Sequence, residues 1–209
     1  MTGKDQYQYT RWAIFNGTLC SNSNKFTYFD VTSEIGNRDG VTIRHETQYA
    51  VNALMQVLSK MSDKGLLKKK LSLWCDNGKH FKNTGVVNFL CSLVGKMFKE
   101  ISLNFFVPYH GKSICDKHFG TISMKTRVCG KDITTIEDLE EQMRDVTNTT
   151  VLRLKLDFVE LEQQEQTVER IPAETSVIKI TKQSLSKGKI SVKILEYECS
   201  RKSCVLKDC

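Results

Sequence analysis

Long apolar runs are missing from this chain. No stretch approaches the roughly 20 consecutive apolar residues of a membrane-spanning helix, so no membrane partner is expected. Residues 1–20 hold no continuous apolar h-region of the kind a secretory signal needs. Proline is scarce, with only Pro108 and Pro172 among 209 residues, which excludes long Pro-rich linkers. Internal repeats and long low-complexity tracts are absent as well. What remains is a chain long enough to bury a core, either as one domain with an appendage or as two small domains.

Acidic residues are sparse in the middle of the chain. From Lys64 to Cys129 there are eleven Lys and one Arg against Asp76, Glu100 and Asp116, a net of +9, which exceeds the +7 of the whole chain. A basic zone with a few embedded acids suits a polyanion, because Lys and Arg displace condensed counterions from phosphates. The bland alternative is a solvated basic face that serves solubility. Eight Cys are present. Without a signal segment they read as reduced thiols of an intracellular protein, not as a disulfide framework.

Hydrophobic periodicity supplies the element order. Residues 11–20 and 25–33 are apolar, aromatic and β-branched, and Ser21–Asn24 between them is a turn signal, so the pair predicts a β-hairpin. Tyr49, Ala53, Leu54, Val57, Leu58 and Met61 recur at helical spacing and predict a helix over 45–61. Residues 71–77 form a short apolar run ending in an acid, which predicts a buried central strand. A helix is expected over 84–99, a strand over 101–108 and a helix over 113–127. Another helix should start at a capping box of Thr134 and Glu137 and run to about residue 146. Residues 151–161 alternate with period two, and two further strands are joined through Ser184–Gly188. The sum is α/β: a mixed sheet flanked by helices over 1–147, then a small β-rich appendage over 148–209.

Two acids stand out by position. Asp76 closes a predicted strand, where ligands of open α/β sheets bind. Asp116 follows the next strand. Two carboxylates at neighbouring positions can hold Mg2+ or Mn2+ through oxygen, and paired ions can activate water for phosphodiester cleavage. The plain alternative for Asp76 is a loop-starting residue. His110 and Lys112 follow a strand and are placed to touch phosphate, or else they flank a tight turn at Gly111. Trp74 and the Phe105-Phe106 pair are expected in the core. A zinc site drawn from Cys75, His80, Cys115 and His118 matches no common spacing. Cys199, Cys204 and Cys209 read as surface thiols, with a partial zinc cluster as the alternative.

The residues around the two acids, LWCDNGKHFKN and FFVPYHGKSICDKHFGTISMKTR, resemble those of transposon-derived, ribonuclease H-like transposases of the DDE/D type. In the first motif Asp76 precedes Lys82 and Asn83. In the second, His110, Gly111, Lys112, Cys115, Asp116, Gly120 and Thr121 fall in order within twelve positions. The resemblance covers roughly residues 10–145. It implies a ribonuclease H-like fold and a metal-dependent DNA strand-cleaving and strand-joining ancestor. Asp76 would be the second carboxylate and Asp116 the third, both as metal ligands, with His110 catalytic and Lys79, Lys82, Lys112 and Lys117 on the nucleic acid. Such enzymes carry their first carboxylate on an opening strand ahead of the hairpin. Here Asp5 is the only acid before residue 30, so that strand and its ligand are expected to be missing. The expectation is a DNA-binding, catalytically degenerate descendant, with self-association and nuclear import through Lys68-Lys69-Lys70 left open. The rival is a protein-interaction domain that keeps the fold without touching nucleic acid.

Overall fold

A computed structural model describes residues 11–20, 26–38, 41–43, 47–106, 114–130, 132–154, 171–172, 175–187, 191–193, 196–200 and 203–207. The architecture is mixed α/β with two small mixed sheets. The chain forms two compact units. One comprises Met1–Lys60 and Lys112–Asp157, the other Met61–Gly111 and Phe158–Cys209. Neither unit is a single continuous stretch.

In the first unit, strand β1 (Arg11–Cys20) pairs antiparallel with β2 (Phe26–Arg38), running from Arg11↔Ile35 to Cys20↔Phe26. This is the predicted hairpin; its turn lies outside the described residues. One end of β2 pairs with the short β3 (Val41–Ile43). Along its other edge β2 pairs in parallel with β6 (Thr149–Arg153). A strand with neighbours on both edges and cover on both faces reads as continuously buried, and residues 29–33 of β2 are all buried. Helix α1 (Thr47–Asp63) buries Ala50, Val51, Ala53, Val57 and Leu58. Gly17 lets β1 approach this helix: a Cβ there would stand 2.8 Å from Val57 Cγ1.

Helices α3 (Ile114–Val128) and α4 (Ile136–Arg144) complete the unit. Ile122 of α3 packs with Leu139, Met143 and Val146, and Ile14, Phe119, Ile133 and Val151 lie against that cluster. Helix α3 runs unbroken through Gly120. The capping box of α4 is one residue later than predicted. Thr135 accepts from Asp138 N at 3.1 Å, and Asp138 accepts from Thr135 N at 2.8 Å. Glu137 therefore points elsewhere, to Arg153 at 2.9 Å.

In the second unit, β4 (Lys70–Cys75) and β5 (Glu100–Phe105) are parallel and joined through α2 (Thr84–Leu93). Helix α2 stops short of the predicted residue 99 because Gly95 adopts φ 90°, and its N–H turns to Phe98 O at 2.8 Å. Strand β7 (Val177–Thr181) joins β5 antiparallel, and β8 (Ser191–Lys193) joins β7, giving the order β4-β5-β7-β8. The predicted connection at Ser184–Gly188 begins as a short helix, α5 (Lys182–Ser186). Strands β9 (Glu196–Ser200) and β10 (Ser203–Lys207) make a separate hairpin. Cys209 and residues 155–161 of the predicted 151–161 strand lie outside the described residues.

Two expectations fail here. β4 is not a buried central strand: among the described residues it pairs only with β5 and alternates in exposure. The run LSLWC was read as continuously apolar, but Ser72 and Trp74 fall on one face by the two-residue period of a strand. Trp74 is 51% exposed and is not a core residue. Phe105 is buried, as expected. On the opposite face Ile101, Leu103, Ile178 and Ile180 are fully buried, while Leu71, Leu73 and Cys75 of β4 are half-buried. Each fully buried side chain contributes about 1.5–3 kcal/mol of transfer free energy.

Candidate nucleic-acid interface and metal ligands

The carboxyl end of β4 opens into a tight loop. Asp76 is exposed, and its Oδ1 accepts from Gly78 N at 3.0 Å. A Cβ on Gly78 would lie 2.8 Å from that same oxygen, so a larger residue there would displace the Asp76 side chain. Asn77 Nδ2 donates to Phe106 O at 2.6 Å, tying the loop to the end of β5. Lys82 turns inward: its Nζ donates to Asn77 Oδ1 at 3.2 Å and sits 5.1 Å above the Phe105 ring. Asn83 caps α2, accepting from Val86 N at 2.9 Å and donating to Lys79 O and His80 O. Lys79 and His80 are exposed on the outside of the loop. The motif residues thus divide: Asn77, Lys82 and Asn83 build the loop, while Asp76, Lys79 and His80 face solvent.

The second motif lies in the first unit. Asp116 and Lys117 are exposed in the first turn of α3. His110 and Lys112 lie outside the described residues. The two acids assigned to metal, Asp76 and Asp116, belong to different compact units. Among the described residues no group of three or more His, Cys, Asp or Glu is gathered, so a two-ion centre has no full ligand set among them. Cys75, Cys91, Cys115 and Cys129 are not joined in disulfides. Burial pushes the Cys91 thiol up to about 11, which keeps it inert.

The most ordered polar constellation was not anticipated from sequence. Asp30, in the middle of β2, is wholly buried, and His118 of α3 is 1% exposed. His118 Nε2 and Asp30 Oδ2 share a hydrogen bond at 2.7 Å, while Asn16 Nδ2 donates to Oδ1 at 2.5 Å. The Tyr28 ring stacks on the His118 ring at 3.9 Å and 5°. Outside this pair lies a groove of about 420 Å3 lined by Tyr28, Lys117, His118, Thr121, Lys125 and Asp145. Two of these, Lys125 and Asp145, form an ion pair at 3.4 Å.

A second buried acid, Glu140 of α4, accepts from Thr32 Oγ1 and from Arg153 Nε, the latter at 2.5 Å, and pairs with Arg144 at 3.2 Å. Burial pushes its carboxyl up, but the bonds from Arg153 and Thr32 outweigh this and hold it below the usual range. The sequence signal for both buried acids was faint. It was an acid inside the β-run FDVTS for one, and Glu140 on the otherwise apolar face of α4 for the other.

No helix among the described residues is long and apolar enough to cross a membrane. No curated protein and no solved structure matches the chain. A family model, the domain of unknown function DUF7869, matches residues 17–194, and the chain belongs to that family.

Proposed function

We propose that this chain is a transposase-derived protein that binds nucleic acid, with a ribonuclease H-like, metal-dependent ancestor and a catalytic centre that is incomplete. The observation that carries the reading is the loop after β4. It places the exposed Asp76 and the exposed Lys79 at the carboxyl ends of a parallel βαβ pair, where α/β folds bind ligands. The two-motif resemblance supplies the ancestry and the preference for DNA over RNA. On this reading Lys79 and Lys117 contact phosphate directly, while Lys82 stiffens the loop that presents Lys79. Asp76 and Asp116 are the residues that would hold Mg2+ or Mn2+ if a centre is completed by residues beyond those described.

Fluorescence anisotropy with a labelled DNA duplex tests the binding. Affinity should fall steeply as salt rises, and Lys79→Ala should reduce the log–log slope by about 1. Absence of binding at low salt sinks the reading. Nicking of supercoiled plasmid with Mn2+, beside an Asp76→Asn, Asp116→Asn control, tests residual chemistry; equal nicking by both marks a contaminant. The rival, a protein-interaction domain, is favoured by one feature: Met124 and Val128, one helical turn apart on α3, are 68% and 79% exposed. If duplex binding is absent and Met124→Glu abolishes a self-association seen by light scattering, the rival replaces the nucleic-acid reading.

A further inference from the structure

The sheet of the second unit has one buried face and one open face. The register puts Lys70, Ser72 and Trp74 of β4 beside Glu100, Ser102 and Asn104 of β5, then Thr181, Lys179 and Val177 of β7. Of these nine positions only Asn104 is buried. Asn104 is the structural member, donating to Ser72 Oγ at 3.1 Å and to Leu73 O at 2.8 Å, which pins β4 to β5. The other face is a continuous apolar layer.

Two features of the open face lie outside what a solvated sheet needs. Trp74 stands half exposed at its end, with the Phe106 ring 5.5 Å away at a 35° tilt. Half of the Trp74 surface therefore meets water at a strand end, which costs apolar hydration. The second feature is charge. Lys70 and Lys179 approach Glu100 from either side, at 4.0 and 3.1 Å, and their side chains are 76% and 51% exposed against 23% for the acid. The cations therefore stand above the only acid of the face. Lys68 and Lys69, also exposed, lead into the same strand.

We infer that this open face holds a single nucleic-acid strand, with a base stacked on Trp74 and Phe106 and the backbone running over Lys70 and Lys179. A four-stranded sheet presenting aromatics to unpaired bases, with cations beside them for phosphate, is a recurring solution for single strands. A duplex is a poor fit, because its bases are already stacked and offer no free π-face to Trp74. The inference rests on the nucleic-acid reading above but assigns a different surface from the Asp76 loop and a different form of ligand.

The test uses the full chain with two labelled probes: an oligothymidylate of about twelve nucleotides and a duplex. Wild type should bind both at low salt. Trp74→Ala should weaken oligothymidylate binding about tenfold, within the range for loss of one stacked base, and leave duplex binding unchanged. Trp74→Phe should restore most of the loss, and Lys179→Glu should weaken the single-strand probe with a shallower salt slope. A urea titration of each variant separates a loss of binding from a loss of folding, and the binding losses should exceed any drop in folded fraction. If Trp74→Ala binds the oligothymidylate as wild type does while duplex binding persists, the stacking platform is wrong and the broader reading stands. If neither probe binds, both fall. If Trp74→Ala instead disrupts a dimer seen by light scattering, the face is a protein contact and the inference is overturned.

Discussion

In the first unit, Asp30 and Glu140 bury their carboxyl groups; in the second, Lys70, Lys179 and Glu100 carry their charges on an open sheet face. The interior acids are each held by more than one partner. Asp30 has His118 and Asn16; Glu140 has Thr32, Arg153 and Arg144. Removing a single partner from such a group leaves a desolvated charge. The open-face ions are already hydrated, so losing one changes little. The contrast separates groups that specify a fold from groups free to meet a ligand. It also separates two sheets: a central strand with polar residues on a buried face, and a sheet whose polar side chains all lie on one open face.

The largest expected effect breaks the first half of this comparison. Asp30→Ala should destabilise the protein by about 3–5 kcal/mol, because His118 and Asn16 lose their buried partner. Urea titration followed by circular dichroism checks it. A midpoint near wild type would show that the pair is not structurally coupled to the unit. Replacing the pair together, Asp30→Leu with His118→Leu, should recover much of that loss.

In the second unit the core is apolar, so its matching test is Leu103→Ala, expected to cost about 3 kcal/mol through lost burial and the cavity left behind. A loss below about 1 kcal/mol would mean that the sheet's buried face collapses readily around the gap.

Glu140 sharpens the comparison through pH. Its folded carboxyl titrates below the unfolded value of about 4.3. The network's stability is therefore fully present above that value and is lost as pH falls through the lower, folded one. Glu140→Gln should cost on the order of 1–3 kcal/mol at neutral pH. Its deficit against wild type should narrow as pH drops from about 5 to about 3. A deficit that stays constant over that window would show that the carboxylate's charge is not what the network uses.

The smallest effect belongs to the open face. Lys70→Ala should change stability by at most about 0.5–1 kcal/mol, since the Lys70–Glu100 contact is long and mostly solvated. A larger loss would move this face from ligand surface to structural element.

How much of this was legible beforehand varied by element. The hairpin, α1, the βαβ pair and α3 could be read from periodicity, because apolar spacing reports which side of an element must be buried. The end of α2 could not, since Gly95 turns the chain while Val94 and Phe98 continue the apolar pattern. The strand-end position of Asp76 was legible, but its loop was not. Lys82 looked like a phosphate contact, yet its ammonium serves Asn77 and the Phe105 ring. Trp74 was misassigned because an aromatic in an apolar run is usually core, and only the pairing of β4 shows which face it occupies.

By itself the sequence determined the class of elements, their order and the basic zone at the centre of the chain. These follow from local spacing and composition, which are properties of neighbours along the chain. Tertiary structure alone decided that Asp30 meets His118, 88 positions away, and that Thr32 meets Glu140, 108 positions away. It also decided that β6 returns to the parallel edge of β2, and that one sheet face is left in solvent with Trp74 on it. Such pairings are chosen by the packing of distant segments, where a buried charge must find a donor, and that requirement has no period for a sequence to display.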